Sequence, residues 1–269
     1  MKTKTFILSS ATLLAFTVLF SSCKKEGCTD PLASNYTVGA TVDDGSCESA
    51  VPTPGTAGAP GSYAPSFSGV NGVLVAIQSV STTSTPIGNI DSYIGTAVAT
   101  FSEDGGATMV SAGDVDVNTN QLTAQANNSY VYTPSQADPT GISYASAVDW
   151  TGTGGTWPSF MASSNMGFST VDVITSGDVS LNSGYTLSAS SISNADSIYY
   201  GVYGPDGSAY HIVGAGSTSY TFTASELSGL GTGQGYVQVV GLKYDPQTIG
   251  GKDYWLINET VRTNSVELN

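Results

Sequence analysis

The chain has 269 residues, with 21 Asp and Glu against 7 Lys and Arg and a formal net charge of −14. Between Lys25 and Lys243 no Lys or Arg occurs. Contact with a phosphate backbone needs cations that release its counterions, so nucleic acid is excluded as a partner, and anionic lipid headgroups repel this body in the same way. Ion pairs are too few to hold the fold, which leaves apolar burial and ladder hydrogen bonds.

The first elements belong to export. Met1 to Lys4 carries two positive charges and Phe6 to Phe20 is an apolar run of 15 residues. That is shorter than the ~20 residues a spanning helix needs, so it reads as the core of a removable signal. Phe20-Ser21-Ser22-Cys23 follows and resembles the bacterial lipobox, in which small residues precede the cysteine that takes the lipid. Phe20 stands where that motif usually has Leu. The resemblance implies cleavage after residue 22, acylation of Cys23, and anchoring to outer-membrane lipid, on the periplasmic or cell-surface face. Several acyl chains hold where one anchors only marginally.

With Cys23 lipidated, Cys28 and Cys47 are the two cysteines left, and they are expected to form a disulfide in an oxidising compartment. They bound Cys28-Thr-Asp-Pro-Leu-Ala-Ser-Asn-Tyr and Ala40-Thr-Val-Asp-Asp-Gly-Ser-Cys47. The segment is similar to a short repeat of exported Bacteroidota-type proteins, and similar modules are described as calcium-binding. Asp30, Asn35, Asp43 and Asp44 are hard oxygen donors suited to calcium. Asp-Asp-Gly is equally a good turn without metal, and both readings stay open here. The expected organisation is thus a signal peptide at 1–22, a lipidated and disulfide-closed module at 23–47, and a Pro/Gly-rich linker at 48–66.

The rest of the chain reads as all-β. No stretch keeps a 3.6-residue apolar period over three turns, and Gly and β-branched residues favour turns and strands. Strand-like runs fall at Val73–Val80, Thr96–Phe101, Met109–Val117, Tyr130–Thr133 and Ala147–Trp150, with a hairpin turn at 102–106. Further runs fall at Tyr185–Ser188, Ser197–Tyr203, Ala209–Val213, Ser219–Thr223, Tyr236–Leu242, Tyr254–Asn258 and Thr263–Leu268. Their spacing resembles two tandem immunoglobulin/fibronectin III-like β-sandwiches, at 67–168 and 169–269. One large sandwich is the competing architecture.

Chemistry is sparsely signalled. His211 is the one histidine, placed within a strand as a surface or cross-strand residue. Neither a nucleophile elbow nor a phosphate loop is present. Trp150, Trp157, Tyr199, Tyr203, Tyr210 and Trp255 include candidates for a sugar-stacking platform. If Ile198, Tyr200 and Val202 face inward, alternation turns Tyr199 and Tyr203 outward. Asp196-Ser197-Ile198 resembles the short O-glycosylation motif of Bacteroidota proteins. These features favour a non-enzymatic lipoprotein displaying β-sandwich domains for structural or adhesive interaction with a protein or glycan. The alternative is a glycan-binding lipoprotein of a polysaccharide-uptake system.

Overall fold

The structure is a computed structural model that describes residues 25–27, 42, 44–46, 70–86, 88–145 and 147–269. The chain forms two compact units, Met1–Glu48 and Ser49–Asn269. In the first, Glu26 and Val42 make a parallel bridge, with the Gly27 N–H donating to the Val42 carbonyl at 3.2 Å.

The second unit is mainly β. Its elements begin with β1 (Gly72–Thr85), β2 (Gly88–Phe101), β3 (Val115–Val117), β4 (Asn120–Gln121), β5 (Thr123–Ala124), β6 (Tyr130–Tyr132), β7 (Val148–Gly152) and β8 (Phe160–Ser164). They continue with β9 (Thr170–Val171), β10 (Tyr185–Ser188), β11 (Ile192–Ser193), β12 (Ser197–Tyr203), β13 (Ser208–Gly214), β14 (Ser219–Phe222), the short helix α1 (Ala224–Leu227), β15 (Gly233–Ile249) and β16 (Lys252–Leu268). Helix α1 is closed by a capping box between Thr223 and Glu226, a Thr-x-x-Glu signature legible in the sequence.

Eight strands form the central sheet, in the order β13-β12-β15-β16-β1-β2-β6-β5. Its spine is the hairpin of β15 and β16, 17 residues each. The two strands turn at Gly250 and Gly251, whose φ values of 60° and 78° suit a tight turn that only glycine enters without strain. Tyr254–Asn258 and Thr263–Leu268, which read as separate runs, are one continuous strand. The β1–β16 pairing is parallel, Leu74 facing Leu256, and the other ladders of the sheet are antiparallel.

Tandem sandwiches meeting at 168/169 are not what the pairing displays. Strands from both halves share one sheet, because β1 pairs with β16. The halves differ instead in what packs on the sheet's inner face. Over β1, β2 and the start of β16 lies the four-stranded sheet β4-β3-β7-β8. Its strands β7 and β8 alternate buried and exposed residues, and the core between the layers holds Trp150, Trp157, Phe101, Tyr130, Tyr254 and Leu256. Tyr254 accepts a hydrogen bond from the Trp157 indole at 2.8 Å. The second core lies between β12 and β15 and the smaller pairs β10–β14 and β9–β11. It holds Ile198, Tyr200, Val202, Phe222, Leu227 and Val239.

Between the cores the inner face of β16 turns polar: Asn258, Thr260 and Arg262, all buried, sit two residues apart and so on one face. Each donates to a carbonyl of the chain crossing above. Asn258 Nδ2 reaches Gly167 O at 2.8 Å, Thr260 Oγ1 reaches Ser169 O at 2.6 Å, and Arg262 Nε reaches Val171 O at 2.7 Å. Ser169 Oγ in turn donates to Gly241 O at 2.8 Å. A Cβ on Gly241 would stand 2.3 Å from that hydroxyl, so a glycine is needed beneath the crossing. The 168/169 boundary expected from the sequence therefore falls on a segment strapped to the sheet.

Cations are scarce, yet those of the β body are all paired. Lys243 meets Asp196, Lys252 meets Glu103, and Arg262 meets Asp91 at 3.0 Å. Of the three, only Arg262 is deeply buried, with a side chain 5 % exposed.

Candidate functional site

Cys23, Cys28, Cys47, Asp30, Asn35 and Asp43 lie outside the described residues. Asp44, the remaining residue of the expected calcium set, is exposed and accepts the Ser46 N–H at 2.9 Å across Gly45, whose φ is +72°. Hydrogen bonds from Ser46 hold its carboxyl below the usual carboxylate range. This is the turn geometry that Asp-Gly favours. Among the described residues no group of three or more His, Cys, Asp or Glu is placed to hold a metal ion.

The aromatic candidates sort into two sets. Trp150 and Trp157 are 1 % and 0 % exposed and belong to the first core, so neither serves as a platform. Ile198, Tyr200 and Val202 face the second core as expected, which turns Tyr199 and Tyr203 to the outer face of the central sheet. There Gly201 faces Tyr210 across the β12–β13 ladder, and Tyr203 faces Tyr236 across the β12–β15 ladder.

The four tyrosines form a tight array. Tyr199 stacks on Tyr210 with ring centres 5.5 Å apart, and Tyr203 stacks on Tyr236 at 4.4 Å and 14°. The Tyr199 and Tyr203 hydroxyls are 2.5 Å apart. Gly201 makes this possible, because a Cβ there would meet the Tyr199 ring at 2.7 Å and the Tyr203 ring at 2.8 Å. Burial, reinforced by the neighbouring hydroxyl, pushes the Tyr199 phenol well above its ordinary pKa. Tyr210 and Tyr236 remain 43 % and 41 % exposed.

The same face continues across the sheet through Val240, Leu242, Trp255, Ile257 and Val73, a separate apolar cluster. All five are buried, 4–6 % exposed. Glu259 sits in the middle of the cluster, opposite Leu242 on β15 and Ile77 on β1. No described residue donates a hydrogen bond to its carboxyl, and burial pushes that carboxyl up to about 7. Sequence alternation alone does not find this group, because Glu259 reads as one more strand-edge acid until the ladder places hydrophobic residues on both sides.

His211 lies on the inner face, stacked on Tyr220 at 4.2 Å, and its Nε2 pairs with Glu226. Burial alone would raise the Glu226 carboxyl, but the Thr223 hydrogen bonds and His211 more than reverse it and hold it low. The histidine thus braces β13 against the capping box of α1. Ser197 of the Asp-Ser-Ile motif is fully buried, its hydroxyl 2.7 Å from that of Tyr244. A glycosyl group has no access to it in the folded chain.

No family model matches the chain, and no curated protein or solved structure does.

Proposed function

We propose that this chain is a non-enzymatic outer-membrane lipoprotein, anchored through acylated Cys23, that displays its β body for structural or adhesive interaction. The observation that carries this reading is the outer face of the central sheet. Its exposed part is the tyrosine array on β12, β13 and β15, where Tyr210 and Tyr236 stay open to solvent beside the buried cluster of Val73, Val240, Leu242, Trp255 and Ile257. Grouped exposed tyrosines suit protein contacts, where tyrosine is enriched because it combines a large apolar body with a hydroxyl. The ring pairs are stacked on one another and present no flat two-ring platform, which favours a protein partner over a polysaccharide on this face.

Cross-linking mass spectrometry on intact cells tests it. Partner cross-links should cluster on β12, β13 and β15, and Tyr210→Ser with Tyr236→Ser should remove them while the β circular dichroism stays unchanged. Cross-links confined to other faces would refute the reading. Loss of membrane retention in Cys23→Ser checks the anchor separately.

A further inference from the structure

The polar seam between the two cores opens into a pocket of about 280 Å³. Its floor is the inner face of the central sheet, with Gln78 from β1, Asp91 and Tyr93 from β2, and Thr260 and Arg262 from β16; the strapped segment 168–172 is its wall. Phe168 closes one end against Tyr144, ring centres 5.0 Å apart, and Tyr93 stands at the rim, half exposed. At the small end of ligand pockets, usually about 300–1,000 Å³, it has room for one ring.

We infer that this pocket binds a single neutral sugar residue, stacked on Tyr93 and held by Gln78, Thr170 and Asp172. Three observations carry the inference. First, the hydrogen-bonding groups left over are of the right kind. The Gln78 amide, the Thr170 hydroxyl, the Tyr93 phenol and one oxygen of Asp172 are unused by other described residues; the second Asp172 oxygen accepts the Val173 N–H at 2.8 Å. Together they offer both donors and acceptors, as a polyhydroxyl ligand requires.

Second, the one cation of the lining is already matched. The buried Arg262 guanidinium is engaged by Val171 O, by Thr82 and by both oxygens of Asp91, so it does not call for an anionic ligand. Third, the aromatic rings lie at the rim and end of a polar floor. That arrangement suits a pyranose, whose C–H face is apolar and whose edge is covered with hydroxyls. The site is separate from the outer face, so it stands or falls independently of the display reading.

The test uses the full chain with methyl glycosides of glucose, galactose and mannose, N-acetylglucosamine and glucuronic acid as probes. Titration is followed by saturation-transfer NMR and calorimetry. The expected result is saturable binding of at least one neutral sugar with Kd on the order of 1 mM, weakened about tenfold by Gln78→Ala and by Tyr93→Ala. Tyr93→Phe should retain most of the affinity, because the ring face remains. Both positions lie outside the cores, and unchanged thermal unfolding of the variants verifies the fold. No saturation by any neutral sugar overturns the inference. So does sugar binding that neither alanine variant weakens, which would place the sugar elsewhere, and so does a tenfold preference for glucuronic acid.

Discussion

The two cores and the seam between them are built from the same sheet by opposite means. Each core is a dry layer of aromatic and aliphatic side chains, and Trp150, Trp157, Tyr200 and Phe222 are almost wholly inaccessible. Along the seam, side chains of the same β16 reach three alternate backbone carbonyls in place of a neighbouring strand. Apolar burial is non-directional and fixes the cores by volume. Hydrogen bonds are directional, so the seam fixes where the crossing segment lies. The difference explains how a pocket persists at the seam: a polar floor with a buried cation does not collapse as an apolar gap does.

The largest effect should come from the cores. Trp150→Ala should cost about 3–5 kcal/mol through lost burial and the cavity left behind. Because the sheet is continuous, urea unfolding should remain one transition when followed by tyrosine fluorescence and by far-UV circular dichroism. Two separated transitions would restore a two-domain picture and break the comparison.

Glu259 should make the outer face sensitive to pH. Its folded pKa is raised from 4.5 to about 7, so the folded state holds a proton that the unfolded chain has released. Its contribution is therefore most favourable below about pH 4.5 and worsens as pH rises to 7, by about 2–3 kcal/mol. Glu259→Gln should remove that decline, as read from unfolding midpoints at pH 5 and 8. An unchanged profile would show that the carboxyl is better solvated than its place in the ladder implies.

The seam should respond more mildly and with the opposite pH sign. Hydrogen bonds from Thr82, and next from Arg262, hold the Asp91 carboxyl below its ordinary range. That stability is complete above the unfolded pKa near 4 and is lost as pH falls through the folded value. Asp91→Asn should cost about 1–2 kcal/mol at neutral pH, between the limits for exposed and buried pairs, and should flatten the acid side of the curve. Gly241→Ala should cost about 1–2 kcal/mol by lifting Ser169 from the sheet, and Ser169→Gly in the same chain should recover part of it. The smallest effect, about 1 kcal/mol, is expected for Thr223→Ala at the cap of α1, and thermal unfolding would read both.

Much of the strand content is legible residue by residue. Tyr185–Ser188 and Ser197–Tyr203 are strands with the bounds expected of them, because alternation along a half-buried strand is a local signal. The outward turn of Tyr199 and Tyr203 follows from the same period. A local signal also places the Asp44 turn, whereas the short helix α1 after Thr223 is not among the elements read from the sequence.

What the sequence alone determined is thus local: the acidic, cation-poor character, the all-β habit, the facing of Ser197–Tyr203, and the turns its glycines and aspartates allow. The tertiary structure decided which strands meet. The parallel ladder of Leu74 with Leu256 joins residues more than 180 positions apart, and no local periodicity encodes a partner at that distance. The same ladder turned two expected sandwiches into one sheet, set Glu259 among hydrophobic residues, and aligned Asn258, Thr260 and Arg262 under a crossing chain. Period and propensity are properties of neighbours along the chain, whereas pairing and desolvation are properties of neighbours in space.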